Sequence, residues 1–162
     1  MKAIEAIERK EFSLERLLTE VAAWRIKGKT IAFTNGCFDI LHEGHIASLS
    51  EAASYGHILI VGVNADASVK RLKGETRPIN SEQSRALLIA SLVMIDAVLI
   101  FEEDTPLHLI TNILPDVLVK GGDYTLEQIV GAKEVIANGG EVKIAPIVEG
   151  FSTTRIIEKM RK

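Results

Sequence analysis

Thr34-Asn35-Gly36-Cys37-Phe38-Asp39-Ile40-Leu41-His42-Glu43-Gly44-His45 stands between a strand-like run, Thr30 to Phe33, and a helix-like run, Ile46 to Tyr55. A strand, a glycine-containing turn and a helix start make a common receptor for phosphate. The first amides of the helix are unpaired, and its dipole places roughly half a positive charge there. His42 and His45 fall at that same end, with Gly44 between them. Imidazole N–H groups there can donate to oxygens that gain charge during phosphoryl or nucleotidyl transfer, and Gly44 keeps the approach clear. Metal binding fits less well, because no third His, Cys or carboxylate stands at an obvious ligand spacing.

Outward from this stretch, strands and helices alternate. Ser13 caps a helix whose apolar face carries Leu14, Leu17, Leu18, Val21, Ala22 and Ile26, and Gly28 ends it. Ile58 to Val63 and Ala97 to Phe101 are continuous apolar runs, the pattern of strands buried on both faces. Val117 to Lys120 and Glu141 to Ala145 read as two further strands. Helices are expected over Ser81 to Val93, Leu107 to Ile113, most of Leu126 to Asn138, and Ser152 to Met160. Asn64 to Asn80 reads as a polar loop.

This order predicts an α/β chain: a doubly wound, parallel, five-stranded sheet with helices on both faces, plus an N-terminal helix. Residues 1–28 form the helical extension and residues 29–162 the main domain. Ligands of such sheets bind beyond the carboxyl ends of the strands, where strand order reverses. Residues 34–45, 64–77 and 120–124 should therefore converge.

Composition narrows the function classes. At 162 residues, 47% hydrophobic and 25% charged, the chain suits one compact domain rather than extended disorder. A net charge of −3 disfavours a general binder of nucleic acid or anionic membranes. One cysteine permits no internal disulfide and suits a reducing compartment. Met1 to Glu11 has no continuous apolar core, so it reads as neither signal peptide nor membrane span, and no run reaches about 18 apolar residues. A soluble cytoplasmic protein is the expectation.

Other polar clusters have ordinary as well as functional readings. Lys70, Arg71, Lys73 and Arg77 could be a solvated group, but they follow a strand on the predicted ligand edge. Lys120-Gly121-Gly122-Asp123-Tyr124 could be a plain turn, yet paired glycines also let backbone approach a base or ribose. Ser152-Thr153-Thr154 can cap a helix or bind a triphosphate tail. Cys37 reads as a small packed residue, His57 and His108 as structural, and Asp96 and Asp104 as cap or turn residues.

Asn35 to His45 resembles the HxGH signature of the cytidylyltransferase-like nucleotidyltransferase superfamily. Gly150-Phe151-Ser152-Thr153-Thr154-Arg155-Ile156-Ile157 resembles its second, Ser/Thr-rich signature. With the order of elements, the match covers roughly residues 28–162 and implies a Rossmann-like fold. Within the superfamily, the chain is most similar to the adenylyltransferase domain of ADP-heptose synthesis. The similar stretches are Ala23-Trp24-Arg25, Val63 to Lys70, Arg77-Pro78, Phe101 to Pro106 and Val119 to Tyr124. Many bacteria fuse that domain to a sugar kinase, so the resemblance implies a free-standing form and a separate kinase upstream. Where related cytidylyltransferases carry Arg-Thr-Glu-Gly, this chain has Ile147-Val148-Glu149-Gly150. Ile147 cannot replace a guanidinium's donors, which disfavours CTP. Cys37 stands where those enzymes usually have Thr, so a hydroxyl contact to phosphate is absent, and Asn or Ala often occupies the position of Arg155 in related heptose enzymes.

The resemblance implies transfer of AMP from ATP to D-glycero-β-D-manno-heptose 1-phosphate, giving ADP-heptose and pyrophosphate for lipopolysaccharide core synthesis. His42, His45 and Lys73 are then the catalytic candidates. Asn35, Gly36, Cys37, Phe38, Gly44, Lys120, Gly121, Gly122, Asp123, Tyr124, Glu149, Ser152, Thr153 and Thr154 would bind nucleotide. Lys70, Arg77 and Arg85 are candidates for the substrate phosphate. Magnesium is expected with ATP, mainly through its phosphates, with Asp39 as candidate protein ligand. No nucleic-acid or membrane partner is expected, and a homodimer is left open. Two other readings stand beside this one. The first is a relative of the same fold acting on glycerol 3-phosphate with CTP, or on pantetheine phosphate or FMN with ATP. The second is a non-catalytic nucleotide sensor.

Overall fold

The computed structural model describes residues 3–122, 124–146 and 157. Five strands, β1 (Ile31–Gly36), β2 (Ile58–Asn64), β3 (Ala97–Phe101), β4 (Val117–Gly121) and β5 (Glu141–Ala145), form one parallel sheet in the order β3-β2-β1-β4-β5. Successive side chains of a strand point to opposite faces, so each apolar run feeds two cores. Ile31, Phe33, Ile60, Leu99, Phe101 and Leu118 enter one core. Ala32, Leu59, Val61, Val63, Val98 and Val119 enter the other.

Seven helices are described: α1 (Ala3–Glu8), α2 (Leu14–Ile26), α3 (Glu43–Ser54), α4 (Asp66–Lys73), α5 (Glu82–Ala90), α6 (Leu107–Ile113) and α7 (Ala132–Ala137). The first core is covered by Leu17 and Val21 of α2, Leu109 and Ile113 of α6, and Val135 of α7. The second is covered by Leu49 and Ala52 of α3 and by Ala86 and Ile89 of α5, with Ile7 of α1 against it. The Rossmann-like, two-sided architecture follows from the apolar runs. Truncating a fully buried residue such as Ile60 should cost about 2–5 kcal/mol.

Four details depart from the sequence expectation. α3 starts at Glu43 rather than Ile46, which makes His42 the N-cap and puts His45 in the first turn. Asp66 to Lys73 is a helix, not a loop. Its acidic first turn and its basic last turn, Lys70, Arg71 and Lys73, complement the helix dipole, and it buries only Ser68 and Val69. The stretch from Leu126 is broken into a 3-10 turn, Leu126–Gln128, and α7. The N-terminal segment holds a second helix, α1, and residues beside it pair with the edge strand. The Phe12 N–H donates to the Val98 carbonyl at 2.8 Å, and the Val98 N–H donates to the Lys10 carbonyl at 2.7 Å. This contact covers an edge of β3 that would otherwise expose backbone groups. The expected helix from Ser152 to Met160 lies outside the described residues, apart from Ile157.

The sheet also opens where a site is expected. β1 runs in register with β2 along its full length, from Ile31↔Ile58 to Gly36↔Val63. It pairs with β4 only at Ala32↔Val117 and Phe33↔Leu118. The carboxyl ends of β1 and β4 therefore part, at the point where the strand order reverses.

Candidate active site

Two adjoining cavities, of about 530 and about 260 Å³, occupy this crevice. Asn35, Gly36, Cys37, Phe38, His45, Lys120 and Tyr124 line both. Asp39, Lys73 and Arg77 line only the larger, whereas His42, Gly44, Gly121 and Gly122 line only the smaller. The segments after β1, β2 and β4 thus converge.

The turn after β1 is tightly packed. Phe38 has φ +49°, in the left-handed region, and its ring lies over Gly36, where a Cβ would come within 3.0 Å of it. That ring also meets His45 edge-on at 5.3 Å. His42 and His45 stack with centroids 3.8 Å apart. The His42 backbone N–H donates to His45 Nδ1 at 3.4 Å, which leaves the proton of the neutral ring on Nε2. Burial, with His42 adding to it, pushes the His45 pKa down to about 4, and burial also lowers that of His42. The pair is therefore neutral near pH 7, and His45 presents an N–H donor beside the first turn of α3.

On the facing side, Lys120 lies with its Nζ 5.7 Å from the Tyr124 ring centroid, and burial lowers its pKa. An anion in the cleft would favour its charged form again. Gly121 and Gly122 both pack closely against neighbouring side chains. A Cβ on Gly121 would meet Ser48 Oγ at 2.8 Å. One on Gly122, at φ +126°, would meet the Tyr124 ring at 2.8 Å. Burial raises the Cys37 thiol pKa, consistent with a packed residue.

Three candidates sit differently from their expected roles. Asp39 is 2% exposed, and its carboxylate accepts from Arg77 Nε at 2.5 Å and from the Ile79 and Asn80 N–H groups at 2.7 and 3.0 Å. A carboxylate so committed ties two loops together and does not suit a metal ligand. No group of three or more His, Cys, Asp or Glu among the described residues could hold a metal ion. Arg85 is fully buried, and its guanidinium donates to the Cys37 and Asn80 carbonyls and to Asp66, so it cannot reach a substrate phosphate. Lys70 is exposed and lines neither cavity. Asp123, Glu149, Ser152, Thr153 and Thr154 lie outside the described residues.

Asn64 and Leu72, within the expected segment 64–77, also line the larger cavity, as do residues not anticipated, among them Thr105, Pro106 and Gln128. Thr105 and Pro106 follow β3, so the carboxyl end of that strand contributes as well. The general rule about strand ends could have found them. His57 is structural as expected, its Nδ1 lying 2.7 Å from Thr30 Oγ1 where β1 and β2 begin.

Comparison with known proteins agrees with this geometry. The family model described as cytidylyltransferase-like matches residues 33–159. The bifunctional protein HldE of Koribacter versatilis is 52% identical over 158 residues, 98% of this chain and 32% of that protein. HldE of Coxiella burnetii is 57% identical over 148 residues, 91% of this chain and 31% of that protein. The chain thus spans about a third of the length of these relatives. A lipopolysaccharide core biosynthesis protein from Thermoplasma volcanium superposes with a TM-score of 0.60 at 32% identity, covering 75% of this chain and 98% of that one. Pantoate-beta-alanine ligase from Francisella tularensis, at 15% identity and a TM-score of 0.59, shares the fold. The chain belongs to the cytidylyltransferase-like family of nucleotidyltransferases.

Proposed function

We propose that the cleft transfers an adenylyl group from ATP to D-glycero-β-D-manno-heptose 1-phosphate, releasing pyrophosphate and ADP-heptose. The observation that carries this reading is that the neutral His45 donor and the Cys37–Phe38 turn line both the recess beside Gly121 and Gly122 and the larger cavity that holds Lys73 and Arg77. A sugar-phosphate oxygen attacks the α-phosphorus. The new P–O bond forms as the bond to the outgoing pyrophosphate breaks, and pyrophosphate leaves with the electron pair. The attacking monoester is already anionic near neutral pH, so alignment and charge stabilisation suffice without a strong base.

In this reading adenosine lies against Gly121, Gly122 and Tyr124, with Asp123 and Glu149 assigned to the same pocket. Ser152, Thr153 and Thr154 meet the β- and γ-phosphates. Lys73 and Arg77 receive the acceptor's phosphate, and His42, His45 and Lys120 stabilise charge around the α-phosphorus. Magnesium bound with the ATP phosphates would neutralise part of their charge, and no group of described residues is assigned to hold it. Similarity to HldE and to a lipopolysaccharide core biosynthesis protein supports the heptose acceptor. A sugar kinase activity, in the same chain or another, would supply the heptose 1-phosphate. No described helix is long and apolar enough to cross a membrane.

Phosphorus NMR of the chain mixed with ATP, magnesium and heptose 1-phosphate tests the reading. The expected spectrum gains a sugar-nucleotide diphosphate pair and pyrophosphate in equal amounts. Product from glycerol 3-phosphate, pantetheine phosphate or FMN, with none from heptose 1-phosphate, would assign a different acceptor.

A further inference from the structure

Arg85, in α5, heads the fully buried side chains by volume, and its guanidinium is sealed from solvent. Removing a guanidinium from water is costly unless acceptors replace the water. Here they come from three segments: the Asn80 carbonyl on Nε at 3.1 Å, Asp66 Oδ1 on Nη2 at 2.8 Å, and the Cys37 carbonyl on Nη1 at 2.5 Å. The last belongs to the turn that lines both cavities.

We propose that Arg85 is a positioning residue: by holding the Cys37 carbonyl toward the core, it aims the Phe38 N–H into the phosphate cleft. In a trans peptide the C=O and the following N–H point in opposite directions. A carbonyl fixed on the buried side therefore turns the Phe38 N–H to the cavity side. No described residue accepts from that N–H. The arrangement is not the relaxed one, because φ +49° at Phe38 is a left-handed conformation that strains a non-glycine residue. Without Arg85, rotation of the 37–38 peptide relieves that strain and replaces an N–H by a carbonyl oxygen facing the phosphates. The Asp39 tie to Arg77, Ile79 and Asn80 does not touch this peptide, so the loop stays in place while its donor is lost. The inference rests on the nucleotidyl-transfer reading of the cleft.

The test uses protein labelled with 15N-phenylalanine, which has five such residues, and α,β-methylene-ATP as an unreactive probe. In the wild type, saturation should move the Phe38 amide. Two variants are compared, Arg85→Lys and Arg85→Met. The second removes the charge with the donors and keeps side-chain length, and Asp66, 35% exposed, can then be solvated. In both, the Phe38 response at saturation should fall below half and probe affinity should weaken by about tenfold, because a carbonyl oxygen then faces the phosphates, while Phe33 and Phe101 in the sheet stay unmoved. In parallel, kcat should drop by about a hundredfold, a larger change than the rise in KM for ATP. An undiminished Phe38 response in either folded variant overturns the role of Arg85. So does a fall in kcat accompanied by movement of Phe33 and Phe101, which marks general loosening. A wild type that takes up no probe and moves no amide overturns the nucleotide reading itself, and this inference with it.

Discussion

His42 and His45 stack at 3.8 Å, and the backbone of the first holds Nδ1 of the second. Two imidazoles so close cannot both be charged without cost, and burial already disfavours the charged form of each. In the proposed reading the pair meets the triphosphate as neutral groups at the start of α3. Replacing His45 by Ala removes a donor that lines both cavities and should lower kcat by roughly a hundred- to a thousandfold. Steady-state kinetics on a variant of unchanged Tm checks this, and near-normal turnover would take His45 out of the chemistry.

The same burial makes His45 a stability term with a definite sign. Its folded pKa of about 4 lies below the ordinary 6.5, so on acidification the unfolded chain takes up the proton first. The stability linked to this group is complete above about pH 6.5 and is lost as pH falls toward 4. His45→Gln cannot titrate and should show a flatter decline in urea midpoint across that window. Equal slopes for the two proteins would contradict the assignment.

Gly121 and Gly122 should differ in how they fail. For Gly121→Ala the close contact is Ser48 Oγ alone, the next atom being Ser48 Cβ at 3.9 Å. Adding Ser48→Ala should therefore restore ATP affinity. Gly122→Ala meets the Tyr124 ring and a φ of +126°, a backbone strain on the order of 1–3 kcal/mol that no neighbour can relieve. It should weaken ATP by about tenfold or more. A calorimetric double-mutant cycle distinguishes the two cases.

Lys70 and Lys73 lie three residues apart on α4, yet only Lys73 lines the cleft. Lys73→Ala should raise KM for the acceptor phosphate by about tenfold or more, and Lys70→Ala should leave it near the wild-type value. The reverse pattern would move the acceptor to the outer face of the helix.

The centre of the sheet was legible because β1, β2 and β3 are largely buried on both faces and stand out as apolar runs, as at Ile58 to Val63. α4 was not, since an eight-residue helix that buries only Ser68 and Val69 leaves no apolar period. The converging strand ends and the histidine pair could be read from spacing. The partners of Asp39 and Arg85 could not. Each side chain suits a phosphate or metal site by type, and only the fold reveals that Asp39 meets Arg77 and that Arg85 meets the Cys37 carbonyl. A charged residue next to a signature motif thus looks the same in sequence whether it touches substrate or holds the loop that does.

Pyrophosphate release from heptose 1-phosphate, with ATP and CTP compared at equal concentrations, tests the adenylyl-transfer account most directly. The account predicts kcat/KM for ATP above that for CTP by about tenfold or more, as expected where Ile147 stands in place of an arginine. Faster release with CTP, or binding of ATP without turnover, would contradict it.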